Sequence, residues 1–494
     1  MKPRADMTRR EFSKRLALLG AGLSVTAGVG RPAETSSPSE NWYEEPPKRL
    51  PVRRCDVVVA GAGTAGVVAA LAAARTGAQT ILIERKGYPG GTVVEGGTAL
   101  HSFFNLWKAF PGVPKKQVVR GIPQEIVDRL AKVGGTSGHA EMIRGYDYDS
   151  VCTAIDTELY KLVTFDMLVE AGVLVALHTL VVGVIKDGSR IKGVIVESRA
   201  GRQAILAKAF VDCTGFGDLA ALAGATYTEP NDYPVANSMG VGGVNVERFY
   251  QYLESQDAVT QLARGRRSGK DGQIVRVDCR LGRLPKPFQE EARKIMLAMV
   301  TTTVHDDYFM FVKLGFKMPV SPTDPDAVSQ AELGLRRRQA KAIELLRKYI
   351  PGCERAFIAR TSPTLNIRRA RVIACDYDMS LTDVIEGRHF DDDVLVYGFH
   401  DSAPRLQIKN GGTYGIPYRA LRVAGIENLL AAGMLITSDH EAHMSTRNTV
   451  CCMAQGQAAG TAAALCAAKS CGTRELPYST LRDALLKGGV YLES

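Results

Sequence analysis

The chain has 494 residues, 45% of them apolar and 23% charged, which is the composition of a globular protein and the length of two or three domains. No apolar run reaches the roughly 18 residues that a membrane-crossing helix requires, so no spanning segment is expected in the mature chain. The net charge of +10 is scattered over both halves, and its densest mid-chain run, Arg336, Arg337 and Arg338, falls on the solvated face of a predicted helix, so no nucleic-acid partner is expected.

The first predicted element is a targeting segment. Thr8-Arg9-Arg10-Glu11-Phe12-Ser13-Lys14 precedes the apolar stretch LALLGAGLSVTAGVG. Twin arginines ahead of a short, glycine-diluted apolar stretch resemble a twin-arginine export signal, with Val25-Thr26-Ala27 as its small-residue cleavage site. The alternative is an amphipathic N-terminal helix, which the order Arg-Arg-x-Phe-x-Lys disfavours. Residues 28–51, rich in Pro, Ser and Glu, read as a linker. The expected location is therefore periplasmic or otherwise extracytoplasmic. Export in the folded state suits a protein that acquires its cofactor in the cytoplasm and carries no disulfide framework.

The next stretch, Val57 to Glu84, reads VVVAGAGTAGVVAALAAARTGAQTILIE. It predicts a strand over Cys55–Ala60, a tight turn carrying Gly61, Gly63 and Gly66, an alanine-rich helix from Thr64 to Thr76, and a strand over Gln79–Ile83 that ends on an acid. Gly61 permits the turn, Gly63 leaves room for a pyrophosphate, and Gly66 lets helix and strand pack closely. Glu84 stands where a carboxylate binds a ribose hydroxyl. The pattern declares the ADP half of a dinucleotide and leaves NAD and FAD both open.

A second glycine cluster, Tyr88-Pro89-Gly90-Gly91-Thr92 with Gly96-Gly97-Thr98, reads equally well as another close approach to that ligand or as a surface loop. Helices are predicted over Val118–Lys132 and Ala154–Ala171, followed by a β-meander between Val173 and Cys213 with turns at Asp187-Gly188 and Ala200-Gly201. The meander delivers Asp212-Cys213-Thr214-Gly215-Phe216-Gly217-Asp218 and a helix, a strand end that again faces a nucleotide in an open α/β sheet.

From Tyr227 to Lys409 the texture becomes aromatic, charged and proline-containing, with helices predicted at Pro287–Val300 and Ala327–Tyr349. This segment reads as a separate substrate or cap domain. Its histidines, His305, His389 and His400, are each more readily loop or core residues than catalysts. The closing segment returns to glycine-rich style with Gly411-Gly412-Thr413, Leu429-Leu430-Ala431-Ala432-Gly433, Asp439-His440-Glu441-Ala442-His443, and a helix predicted over Met453–Ala468. The ten cysteines include no C-x-x-C, so a zinc or iron–sulfur site has no local signature; several fall in apolar elements as small hydrophobes, and disulfide pairing is left open.

Together GAGTAG with Glu84, YPGGT, DCTGFGD, the segment from Leu365 to Asp392, and LLAAGMLITSDHEAHMSTR with its GQAAG helix resemble the FAD-dependent oxidoreductase family of glutathione-reductase-type flavoproteins. More distant relatives are the flavoprotein subunits of succinate dehydrogenase and fumarate reductase. The resemblance runs from Arg54 to Lys469. It implies an α/β fold in which a Rossmann-like FAD-binding domain with a parallel sheet and β-meander (residues 52–226 and 411–494) is interrupted by an α+β substrate/cap domain (227–410).

The same resemblance implies that Gly61, Gly63, Gly66 and Glu84 hold the ADP part of FAD, with Thr64, Ala65 and Arg85 beside them. Gly90, Gly91 and Thr92 would lie along the pyrophosphate and flavin, Thr214, Gly215 and Asp218 would close over the nucleotide, and Gly433 would sit near the ribityl chain. Gly456, Gln457 and Ala458 would open the last helix toward the flavin pyrimidine edge, where a helix N-terminus stabilises developing negative charge. Two departures stand out: Met434 replaces the family's Arg after the Gly of its LLxAGR motif, and Asn366-Ile367-Arg368-Arg369 replaces Gly-x-Arg-Glu.

No second GxGxxG follows a strand, so electrons are expected to pass between a small polar organic substrate and the flavin, and on to oxygen, a quinone or a redox protein. His440 and His443 are the candidate proton carriers, with Asp439 and Glu441 to tune them, and Arg447 and Arg371 are candidate substrate anchors, a structural salt bridge being the alternative for both. His101 lies in the general region for covalent flavin attachment, which the sequence does not favour. The competing readings are an FAD-bearing electron-transfer component of a complex and a plain NAD-binding dehydrogenase. The oligomeric state is left open.

Overall fold

Four apolar runs that are buried along their whole length, Val57–Ala60, Thr80–Ile83, Ala209–Asp212 and Leu429–Ala431, pair in parallel in the computed structural model. Continuous burial of this kind is what a parallel sheet covered on both faces demands, and it explains why these strands show no polar alternation. With Leu174–Ala176 on the far edge, the sheet has five strands in the order Leu429–Ala431, Ala209–Asp212, Val57–Ala60, Thr80–Ile83, Leu174–Ala176. The fold is α/β.

The structure describes residues 45–107, 112–145, 150–233, 235–316, 321, 323–403, 405–436 and 438–493. The twin-arginine segment, its cleavage site and the linker up to residue 44 lie outside the described residues. Residues 50–494 form one compact unit, and residues 45–49 belong to a separate N-terminal unit.

The crossover helix Thr64–Arg75 packs against a second helix, Thr449–Lys469, nearly all of which is buried. Close approach is set by glycines four residues apart. A Cβ on Gly456 would lie 2.2 Å from the Ala65 carbonyl oxygen, and one on Gly460 would lie 2.0 Å from that of Ala69. The two ends of the chain are thereby joined backbone to backbone beside the first strand.

The predicted meander is present as Leu180–Asp187, Arg190–Ser198 and Gly201–Leu206, antiparallel throughout, with Val52–Arg54 added parallel to its last strand. Leu174–Ala176 departs from that expectation by joining the parallel sheet.

A nine-stranded antiparallel sheet makes the second layer, in the order Phe357–Thr361, Val235–Gly242, Tyr308–Phe316, Leu297–Thr302, Lys270–Cys279, Val259–Arg267, Ala140–Arg144, Val151–Thr153, Leu100–His101. Its apolar face is covered by helices Val246–Ser255, Lys286–Lys294 and Pro325–Tyr349, which insert Phe249, Phe288 and Leu335 against Val277, Val312 and Leu314. The helix expected over Pro287–Val300 ends at Lys294, because Leu297–Thr302 alternates Leu297, Met299 and Thr301 inward and its β-branched tail fits a pleated surface.

Single boundaries at residues 226 and 410 therefore do not describe the layers. Three strands of the large sheet come from before residue 226, since an antiparallel edge accepts any passing segment that can complete its hydrogen bonds. Met379, Val384 and Val394–Tyr397 instead join the core that contains Val57–Ala60. All ten cysteines are free thiols. Among the described residues no helix is long and apolar enough to cross a membrane.

Candidate functional site

A cavity of about 530 Å³ opens where the C-terminal edge of the parallel sheet meets the uncovered face of the nine-stranded sheet. Gly61, Gly63, Thr64, Ala65, Glu84, Arg85, Gly91, Thr92, Thr214, Gly215 and Gly433 all line it, as does His101. The sequence-predicted cofactor residues from both ends of the chain are thus brought together.

The three turn glycines answer to different demands. A Cβ on Gly61, whose φ is +90°, would lie 2.5 Å from the Cys213 carbonyl oxygen, and one on Gly66 would lie 1.7 Å from the Gly61 carbonyl oxygen. The protein itself requires both. Gly63 has an ordinary φ of −71°, and its Cβ would meet nothing closer than the Cys213 carbonyl oxygen at 3.9 Å. The protein leaves open the space beside Gly63, as a site for a pyrophosphate requires. Gly63 is also the N-cap of helix Thr64–Arg75 and supplies no side-chain cap, so the first-turn N–H groups are offered to the cavity.

Glu84 Oε2 accepts from Ala62 N at 2.8 Å and Oε1 accepts from Lys86 N at 2.8 Å. Burial pushes this carboxyl above its ordinary range, and the two N–H bonds oppose the shift. Asp212 fixes the neighbouring strand end by accepting from Thr214 N (2.9 Å), Thr214 Oγ1 (2.7 Å) and Ala220 N (2.8 Å). Full burial raises it to about 6. Gly433, at φ +115°, donates its N–H to Gln455 Oε1 at 2.8 Å.

Several predicted residues take other places. Gly66 and Gly90 shape the turns behind the lining: Gly90 N donates to Ala62 O at 2.8 Å. Asp218 and Arg371 pair with each other at 2.8 Å, and Arg371 also faces Glu229 at 3.3 Å, so Arg371 is a structural ion-pair residue outside the cavity lining. Gly456 packs against Ala65, and Ala458 is fully buried. Gln457 Oε1 accepts from Ile122 N (3.0 Å) while its Nε2 donates to Gly488 O (2.8 Å).

The last helix begins at Thr449, earlier than the expected Met453, and its N-terminal residues Asn448, Thr449 and Cys452 are the ones that line the cavity. The helix end does face the site, through different residues.

His440 and His443 lie on the short helix His440–Thr446, N-capped by Asp439, which accepts from Ala442 N. His440 is half exposed, pairs with Asp232 at 2.7 Å and stacks on Tyr233 at 4.6 Å. His443 is fully buried and donates from Nε2 to the Arg368 carbonyl at 2.9 Å; burial drives its pKa down to about 3 and keeps the ring neutral. Neither histidine lines the cavity. Arg447 does, held by Asp401 and lying 5.6 Å from the centre of the Tyr233 ring. His305, His389 and His400 are bound to Asp156, Asp393 and the Glu441 carbonyl respectively.

The sheet side of the cavity was not foreseen. Gln261, Arg276, Asp278, Phe311 and Lys313 line it, each on a strand whose alternate residues, such as Val277, Val312 and Leu314, enter the apolar core, whereas Asn237, which also borders it, is paired with Leu314 on the core side and bonds Gln339 of the covering helix. The available signal was period-two polarity in Val275-Arg276-Val277-Asp278-Cys279 and Phe311-Val312-Lys313.

A family model described as "FAD dependent oxidoreductase" matches residues 56–485. No curated protein matches the chain. Among solved structures, the chain is similar to a geranylgeranyl bacteriochlorophyll reductase-like protein of Thermoplasma acidophilum (14% identity, 89% of this chain and 83% of that one, TM-score 0.45). It is also similar to the flavin-dependent brominase Bmp2 (13%, 87% and 83%, 0.46) and to the p-nitrophenol 4-monooxygenase PnpA of Pseudomonas putida DLL-E4 (10%, 89% and 89%, 0.46). These likenesses are weak and bear on neither substrate nor reaction.

Proposed function

Because the chain belongs to the FAD-dependent oxidoreductase family, we propose that it transfers a hydride between a small polar organic substrate and bound FAD, outside the cytoplasm, after export as a folded protein. The observation that carries this reading is the continuity of one cavity from the Gly61–Thr64 turn to the polar face of the nine-stranded sheet. A dinucleotide held at the turn and a substrate held on the sheet would share that space. FAD, when bound, supplies the hydride-accepting chemistry of its flavin ring.

The residues present fit that cofactor. Gly63 leaves an uncrowded cradle, the uncapped first turn after it offers N–H donors to phosphate, and Glu84 presents a carboxylate toward a ribose. At the far end, Asn448 caps the Thr449–Lys469 helix without a side-chain hydrogen bond to its own first turn. Its free N–H groups stabilise negative charge arriving in the cavity. Arg447, fixed by Asp401 and lining the cavity, is the predicted anchor that keeps a substrate-facing role. Val300 and Phe311 add an apolar wall that limits water.

The chain's relation to glutathione-reductase-type flavoproteins and its twin-arginine export are part of the same proposal. So is an electron acceptor that is oxygen, a quinone or a redox protein, as the lack of a second dinucleotide motif supports. The test of function is anaerobic bleaching of the purified holoprotein's flavin absorbance across a panel of small alcohols, acids and amines. Bleaching by one chemical class is expected. A colourless protein that takes up no FAD on reconstitution would overturn the reading, and a flavoprotein reduced only by a partner protein would make it an electron-transfer component. Export is tested by Arg9→Lys with Arg10→Lys in the full chain: cytoplasmic retention is expected, and unchanged export would contradict the twin-arginine route.

A further inference from the structure

We propose that the sheet side of the cavity is a binding site for an organic anion, a small carboxylic acid, held by Lys313 and Arg276 with Arg368 and Arg447. The proposal rests on the oxidoreductase reading above and narrows its substrate from polar to acidic.

The charges around this part of the cavity do not balance. Arg276, Lys313, Arg368 and Arg447 line it together with the carboxylates Asp278 and Asp401. Asp401 is engaged by Arg447. Arg276, only 6% exposed, makes no ion pair among the described residues. Its guanidinium donates to Gln261 Oε1 at 3.2 and 2.8 Å and to His101 Nε2 at 3.0 Å. The Lys313 ammonium likewise has no ion pair or hydrogen bond among the described residues. Burial and the neighbouring Arg368 bring its ammonium down to about 8, with Arg447 acting the same way and Asp278 and Asp401 opposing. An excess of buried positive charge is costly, and a bound anion relieves it.

These cations are not those of the glycine turn. The charges acting on Glu84 at the glycine turn are Lys86 and Arg85, and Lys86 is itself paired with Glu95. Those acting on Lys313 are Arg368, Arg447, Asp278 and Asp401. The phosphate end and the sheet end therefore carry distinct charge groups.

The test uses the purified holoprotein, titrated with malonate and, separately, with uncharged malonamide at constant ionic strength, read by the flavin difference spectrum and by melting temperature. Saturable binding of malonate and none of malonamide is expected. Lys313→Met should weaken malonate at least about tenfold, as loss of a charge-assisted contact does, and Lys313→Arg should restore it to within about threefold. Equal responses to malonate and malonamide in the wild-type protein would overturn the proposal whatever the variants do. So would undiminished malonate affinity in Lys313→Met at normal flavin content. Failure of the flavin reading is distinguishable: the protein would bind no FAD, while malonate would still raise the melting temperature.

Discussion

Glu84 Oε2 accepts a 2.8 Å hydrogen bond from the peptide nitrogen of Ala62, which lies between the first two glycines of the turn. The acid at the end of one strand thereby braces the loop that leaves the other. Its second oxygen, Oε1, is held by Lys86 N at 2.8 Å, and the carboxylate still lines the cavity. Glu84→Gln keeps the shape and one acceptor but removes the charge. We expect FAD affinity to fall about tenfold or more, the value of a charge-assisted hydrogen bond at about 1.5–3 kcal/mol, with the apoprotein's melting temperature little changed. Fluorescence titration with FAD measures this, and an unaltered dissociation constant would remove Glu84 from the ribose site.

Gly456 makes a contrasting prediction. Its missing Cβ would stand 2.2 Å from the Ala65 carbonyl oxygen, a backbone atom of a buried helix that cannot swing aside. Gly456→Ala must push two helices apart, and overpacking of this kind costs about 1–3 kcal/mol or more. Urea unfolding should show that loss, whereas a variant of unchanged stability would mean that the helices are less tightly apposed.

Acid should destabilise the fold through the buried His443 and the partly buried His139. Burial lowers His443 to about 3 and His139 to about 4, both below the ordinary value of 6.5. The unfolded chain therefore binds more protons than the folded one below pH 6.5, and stability is full above that pH and declines as pH falls toward 4 and then 3. Between pH 7 and pH 5 each contributes a loss of about 2 kcal/mol. In His443→Asn the difference in unfolding free energy between those two pH values should shrink by about that amount. An identical pH dependence in the variant would show that His443 is not buried as a neutral ring.

The legible part of the site was the local part. The turn, the acid and the helix between them lie within Val57 to Glu84, and each glycine's steric partner is either inside that stretch or on the adjoining Cys213 strand end. Lys313 and Arg276 are not legible in the sequence because a side chain's face in a sheet depends on register, and this sheet is assembled from strands between residues 100 and 361. The last helix was expected to start too late because Thr449, Val450, Cys451 and Cys452 are weak helix formers, and tertiary packing along the buried helix overrides that preference. The sequence singles out His440 and His443 by their chemistry alone; the fold turns one to Asp232 and seals the other beneath Arg368.

The central claim is that the space beside Gly63 belongs to FAD. The flavin-to-protein ratio of purified Gly63→Val, set beside the wild-type protein and beside the melting temperature of each apoprotein, tests it most directly. The added side chain starts at a Cβ with no protein atom nearer than 3.9 Å and extends into the pyrophosphate's place, so the variant should fold and be colourless while the wild type carries stoichiometric flavin. Stoichiometric FAD in Gly63→Val would contradict the account.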